Sequence, residues 1–266
     1  MTAPRLAVLG SPIAHSASPL LHGAAYRVLG LDWTYGRERV DEAGLPDFLA
    51  GLGSEWRGLS LTMPLKRAVL PLVPDRDELV ERLGLANTVL LDGRPRLFNT
   101  DVGGIVAVLE RERIAPKRAV VLGAGATAAS ALEALAQLGV PERIVAARDP
   151  AKAAVLGGAT GVSTLGDAPL ADTDLVIATL PGGADVPLPV PEAVPGTPLL
   201  DVAYDPWPSR LGAAWTAAGG TLLHGLDMLI EQAVLQVRVF TAGDLDRPLD
   251  REDAVREAMR AAVGRS

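Results

Sequence analysis

The chain has 266 residues, 48% hydrophobic and 21% charged, which is a globular composition long enough for one large domain or two ordinary ones and unlike that of a disordered protein. It contains no cysteine, which excludes a disulfide framework, a thiolate nucleophile and a cysteine-bound zinc, and no metal site is expected. Its net charge of −7 comes without any cluster of lysines or arginines, which argues against a nucleic-acid partner.

At the start of the chain, MTAPRLAVLGSPIAH carries an apolar run too short for a secretory signal. No later run reaches the ~18–20 apolar residues of a membrane span, so no membrane partner is expected and the expected location is the cytoplasm. A strand is predicted over 5–9, followed by GSPIAHSASPLLH, in which Ser16 and Ser18 stand two residues apart ahead of Pro19. Ser18 reads equally well as an N-cap before a proline, whereas Ser16 has no such structural reason to be there. His15 and His22 read as structural histidines. A helix over 19–29, a strand over 33–39 and a helix over 43–51 come next.

Residues 58–70, GLSLTMPLKRAVL, begin with strand-like alternation and continue into a predicted helix over 65–71. Pro64 takes the first helical position, which puts Lys66 in the first turn, where the helix dipole disfavours a cation by roughly 0.3–1 kcal/mol. A helix over 77–83 leads to strands near 87–91 and 96–99. The second ends in LFNTDVGG, so that Asn99, Thr100 and Asp101 precede a helix over 102–113. Asp101 reads either as the cap of that helix or as a functional carboxylate. LANTV offers a second such pair, Asn87 and Thr88. Residues 1–100 hold 11 Lys/Arg and 11 Asp/Glu, so an anionic ligand must be held by local groups and not by a global field. These hydroxyls, amides, the lysine and the carboxylate gather at the carboxyl ends of strands, where open α/β sheets bind ligands.

Next, KRAVVLGAGATAASALEALAQLG is a buried strand, a glycine turn and an alanine-rich helix in the order a dinucleotide fold requires. Gly123 and Gly125 permit a tight turn and close approach of a pyrophosphate, and the helix after them offers free N–H groups. Ala128 is a permitted small residue in place of a third glycine. Strands follow near 143–147, 174–178, 198–202 and 221–223, with a proline-rich loop over 181–198. The first of these ends in Ala146-Ala147-Arg148-Asp149. An arginine there suits the extra phosphate of NADP, while Asp149 reads as a ribose contact or as an N-cap before Pro150. NADP is therefore favoured, with NAD left open. From Gly225 the pattern turns helical. On the apolar helix DMLIEQAVLQVRVF, Gln232 and Gln236 share a face at i, i+4, and a buried glutamine must be paired with either backbone or substrate.

Taken together, these blocks resemble the shikimate dehydrogenase family along nearly the whole chain: GSPIAHSASP, GLSLTMPLK, LANT, FNTDVGG, GAGATA, DVAYDPWPSRL and GLDMLIEQA. The resemblance implies an α/β fold with an N-terminal substrate domain, 1–101, completed by helices returning at 225–266. It implies a Rossmann-type, doubly wound NADP-binding domain over 102–224, with a deep groove between the two. The implied activity is the reversible NADPH-dependent reduction of 3-dehydroshikimate to shikimate, on the route to chorismate and the aromatic amino acids. An NAD-dependent quinate/shikimate dehydrogenase and a non-catalytic metabolite sensor stand as alternatives, and the implied assembly is a monomer or homodimer.

Carried over residue by residue, the resemblance makes Lys66 and Asp101 the catalytic pair. Ser16, Ser18, Thr62, Asn87, Tyr204 and Gln232 become substrate ligands, and Gly123, Ala124, Gly125, Ala126, Arg148, Thr179 and Gly225 become cofactor ligands. The chain departs from the family pattern at four places. Ser60 stands where asparagine is usual, AARDP replaces asparagine-arginine-threonine, Ala178 replaces an asparagine, and Ser209 replaces a threonine.

Overall fold

The computed structural model describes residues 3–184, 188–191 and 194–265. In chain order its first elements are β1 (Arg5–Gly10), α1 (Ser18–Leu29), β2 (Thr34–Arg39), α2 (Leu45–Ala50), β3 (Trp56–Leu61), α3 (Leu65–Ala68), β4 (Asp75–Arg76), α4 (Glu78–Leu83), β5 (Thr88–Leu90), β6 (Arg96–Phe98) and α5 (Asp101–Arg111). They are followed by β7 (Arg118–Leu122), α6 (Ala126–Gln137), β8 (Glu142–Ala147), α7 (Pro150–Ala154), β9 (Gly161–Thr164), β10 (Leu175–Ala178), β11 (Pro198–Asp201), α8 (Arg210–Ala217), β12 (Thr221–His224), α9 (Gly225–Ala242) and α10 (Glu252–Ala262). Part of the predicted 181–198 loop, residues 185–187, 192 and 193, lies outside the described residues.

The chain divides into two compact units, Met1–Gly104 with Leu229–Ser266, and Ile105–Met228. In the first, six strands form a mixed sheet in the order β2-β1-β3-β5-β6-β4. β1 pairs in parallel with β2 and β3, whereas β5 runs antiparallel to both β3 and β6. Side chains of β1 alternate between two apolar layers, Leu6 facing one that contains Leu21, Tyr26 and Phe240, and Ala7 and Leu9 facing another that contains Leu59 and Leu65. Leu9, Leu59 and Leu65 are fully buried, each contributing about 1.5–3 kcal/mol. The C-terminal helix α10 lays Val255 and Met259, one turn apart, against this first layer.

In the second unit six strands, all parallel, run in the order β12-β11-β10-β7-β8-β9. Numbered within the unit this is the 3-2-1-4-5-6 order of doubly wound dinucleotide folds, and the order reverses between β7 and β10. Both central strands are apolar almost throughout, as parallel strands covered on both faces must be.

Two local expectations need correction. The helix carrying Lys66 covers 65–68 and not 65–71, because Pro71 disfavours a helical conformation at Leu70 and has no N–H to give. Pro64 precedes it as the cap residue, so Lys66 sits on a single turn whose dipole is slight. Ser18 is also not an N-cap: α1 begins at Ser18, its cap position is Ala17, and no side chain caps it. Helix α8, capped by Ser209, and the short strands β4 and β9 were not expected from the sequence pattern.

Candidate active site

In the first unit, four chain segments bring polar groups together. Leu65 anchors the single turn of α3 in the core, and the Lys66 carbonyl accepts the Ala86 N–H at 2.9 Å, tying the turn to the entry of β5. The Lys66 Nζ donates to Asp101 Oδ2 at 2.5 Å, with side-chain exposures of 14% and 6%. Charge-assisted contacts of this kind are about twice as strong as neutral ones. Asp101 is free for this contact because Asn99 does the capping: its Oδ1 accepts the N–H groups of Asp101 and Val102 at 3.0 and 3.4 Å. The alternative reading of Asp101 as the helix cap is thereby settled against.

The other oxygen, Asp101 Oδ1, accepts from Asn87 Nδ2 at 2.8 Å. Asn87 Oδ1 accepts the Thr100 N–H at 2.8 Å, and because that group can only donate, the Asn87 amide is turned with its NH₂ toward the carboxylate. From α9, Gln232 Oε1 lies 3.4 Å from both Asn87 Nδ2 and Thr100 Oγ1, while its Nε2 donates to the Leu229 carbonyl at 2.7 Å. Thus Lys66, Asn87, Asp101 and Gln232 form one cluster, joined by Thr100, which the sequence placed at the same strand end without a site role.

Ser16 and Ser18 form a second group at the start of α1. The Ser16 hydroxyl donates to Ser18 Oγ at 3.2 Å, and the Ser18 N–H donates back to Ser16 Oγ at 3.3 Å. Arg37 donates two hydrogen bonds to the Ser16 carbonyl, at 2.9 and 2.6 Å, which fixes this turn beside a guanidinium. With no capping duty on Ser18, the pair suits an anion. Thr62 follows β3, its N–H bonded to the Leu9 carbonyl at 2.9 Å and its carbonyl accepting from Leu65.

The second unit holds the remaining candidates. Gly123 has φ +116°, a conformation that L side chains rarely adopt, and a Cβ there would meet Thr179 Oγ1 at 2.4 Å. Gly123 and Thr179 therefore close on each other at the ends of β7 and β10, where the strand order reverses. Gly125 is different: its backbone is ordinary and a Cβ there would meet nothing within 4 Å. The protein itself does not require that glycine, which is what a site kept open for a pyrophosphate predicts. Ala124 and Ala126 flank it, and the first turn of α6 carries no acidic residue to compete for its N–H groups. Arg148 is exposed after β8. Asp149 Oδ1 accepts from the N–H groups of Ala151 and Lys152, so the capping reading of this residue holds.

Tyr204 lies in the loop after β11. That loop is drawn closed by the buried Asp201, which accepts the Ala203 N–H at 3.2 Å and a hydrogen bond from the Ser209 hydroxyl. Burial raises the Asp201 pKa above the usual carboxylate range, against the lowering effect of Ser209. Gly225 begins α9, where a Cβ would meet the Val202 carbonyl oxygen at 2.4 Å, so close backbone packing demands glycine there.

The fold and these sites define an α/β protein of the doubly wound dinucleotide-binding class, with a separate unit presenting a part-buried lysine–carboxylate pair. A family model described as the shikimate dehydrogenase substrate binding domain matches residues 8–89. A relative from Moorella thermoacetica named shikimate dehydrogenase (NADP(+)) is 34% identical over 97% of this chain and 95% of its own. The crystal structure of Mycobacterium tuberculosis shikimate dehydrogenase is 38% identical with a TM-score of 0.81, covering 97% of this chain and 99% of that one. The shikimate 5-dehydrogenase of Thermus thermophilus, solved in complex with NADP(H) and shikimate, is 33% identical with a TM-score of 0.82, covering 97% and 99%. The chain belongs to the shikimate dehydrogenase family. No helix among the described residues is long and apolar enough to cross a membrane, and none of their acidic and histidine side chains group as a metal site.

Proposed function

We propose that this chain catalyses the NADP-dependent, reversible reduction of 3-dehydroshikimate to shikimate, with the substrate on the first unit and the cofactor on the second. The observation that carries the reading is the 2.5 Å contact between Lys66 Nζ and Asp101 Oδ2, a proton donor held on a carboxylate at the carboxyl ends of strands. A nicotinamide cofactor, when bound, supplies the hydride. In this reading Gly123, Ala124, Gly125, Ala126 and Thr179 hold its pyrophosphate, Arg148 its 2′-phosphate, and Gly225 lies near the nicotinamide.

On the substrate side, Ser16 and Ser18 bind the carboxylate of the ring acid. Thr62, Asn87, Asp101 and Gln232 bind its hydroxyls, and the family resemblance assigns Tyr204 to the same substrate. As the carbonyl carbon accepts hydride, the Lys66 ammonium stabilises the charge growing on oxygen and then donates Nζ–H to it; in oxidation the neutral amine takes the alcohol proton back. Asp101 orients Lys66 and accepts from a substrate hydroxyl. The cytoplasm is the proposed location, and a monomer or homodimer the proposed assembly.

Asp149 supports NADP over NAD, because its carboxylate is committed to the cap of α7 and not offered to a ribose. Steady-state rates with shikimate or quinate, each with NADP+ or NAD+, test the reading. Highest kcat/KM for shikimate with NADP+ is expected. A quinate/NAD+ preference overturns it in favour of the broader dehydrogenase, and shikimate binding by calorimetry without turnover overturns it in favour of a sensor.

A further inference from the structure

A buried polar chain leads into Asn87 and Asp101 from residues that the catalytic assignment does not use. Gln236, 2% exposed on α9, is at its centre. Its Nε2 donates to the Asn87 carbonyl at 3.2 Å and to Thr88 Oγ1 at 3.0 Å. A backbone carbonyl can only accept, so this amide cannot be flipped and its Oε1 must face the other way. There Oε1 lies 2.7 Å from Ser60 Oγ and 3.2 Å from His22 Nε2, and both must donate to it.

The requirement propagates outward. Ser60, having given its proton to Gln236, accepts from the Tyr35 hydroxyl at 2.6 Å. His22, with its proton on Nε2, accepts at Nδ1 from the Tyr26 hydroxyl at 3.2 Å, and its ring stacks on Tyr35 at 4.0 Å. Complete burial keeps His22 neutral down to about pH 3, despite the raising effect of Gln236, so this single tautomer persists throughout the working range. Inward, Thr88 accepts from Gln236 and donates to Asn87 Oδ1 at 2.9 Å, and Asn87 in turn donates to Asp101. Every proton in the chain therefore points the same way, from two tyrosines toward the Asp101 carboxylate. Hydrogen bonds aligned in this manner polarise one another.

We propose that Gln236 is a positioning residue for the Lys66–Asp101 pair, acting through Thr88 and Asn87 along this one-directional chain of buried hydrogen bonds. The proposal rests on the dehydrogenase reading of that pair. It also gives Ser60 a duty: in place of the family's asparagine, it relays the Tyr35 hydrogen bond to Gln236.

The test replaces Thr88 with valine, which keeps shape and strand preference but removes the relay hydroxyl, and with serine, which keeps the hydroxyl. Oxidation of shikimate by NADP+ is followed for the wild type and both variants. Wild-type turnover must be seen first; its absence defeats the dehydrogenase reading, and this proposal with it. Given that turnover, Thr88→Val is expected to lower kcat roughly tenfold with KM for NADP+ unchanged, the scale of one lost hydrogen bond, and Thr88→Ser to restore most of it. If Thr88→Val is not recovered folded, Gln236→Met, similar in volume, is expected to show the same loss of kcat. A kcat within twofold of wild type in the folded variant overturns the proposal, as does Thr88→Ser behaving no better than Thr88→Val.

Discussion

The two units build their candidate sites from different materials. In the mixed sheet the chemistry is on side chains: Lys66 from a single helical turn, Asn87 from the residue before β5, Asp101 from the first turn of α5 and Gln232 from α9, each aimed by its own hydrogen bonds. In the parallel sheet it is on the backbone, at a turn where Gly123 takes a left-handed conformation and Gly125 leaves open space. A side-chain site fails when a functional group is removed, whereas a backbone site fails when a group is added. That contrast sorts the experiments.

Removing the amine is expected to cost most: Lys66→Ala lowers turnover about 10²–10⁴-fold, measured as NADPH formation from shikimate. Ser18→Ala comes next. On the proposed role of Ser18 as a hydroxyl donor to the substrate carboxylate, its loss is expected to raise the KM for shikimate roughly 10–100-fold with little change in NADP+ affinity, as read from initial rates and fluorescence titration. Adding a group in the other unit gives the complementary result. Gly125→Ala weakens NADP+ binding roughly tenfold, the cost of crowding an approach, while Tm stays at the wild-type value because the new methyl meets no protein atom. An unchanged NADP+ affinity in that variant breaks the backbone half of the comparison.

The smallest effect concerns stability. Burial opposes ionisation of Glu252, but hydrogen bonds from Arg238 and the Leu249 N–H, with the charges of Arg238 and Arg256, prevail and hold its pKa at about 2 against an ordinary 4.5. A carboxylate depressed in this direction contributes stability above pH 4.5, and the contribution is lost as pH falls toward about 2. Glu252→Gln is expected to lose about 1–2 kcal/mol at pH 7 after solvent screening, with the difference closing in acid, as urea unfolding at each pH measures. NADP+ affinity is expected to stay unchanged, since Glu252 belongs to the other unit.

The contrast also explains what could be read from sequence. A backbone site depends on a short contiguous string, so GAGATA between a buried strand and an alanine-rich helix was visible without help, and all six strands of doubly wound order except β9 carried apolar runs. β9, GVST, is a short, half-exposed edge strand with no such run. A side-chain site depends on residues far apart in the chain, so Lys66 and Asp101 acquired roles only through family resemblance. Local rules even pointed elsewhere for Ser18 and Asp101, whose expected capping positions went to Ala17 and Asn99. Gln236 showed one usable sign, a second amide on the buried face of an apolar helix, but its partners on β3 and β5 lie 176 and 148 residues away.

The division of labour is tested most directly by measuring two quantities on one protein, the kcat for shikimate oxidation and the NADP+ dissociation constant of Lys66→Ala beside the wild type. The account predicts turnover reduced at least about a hundredfold with cofactor affinity within twofold. Near-wild-type turnover in the alanine variant would contradict it.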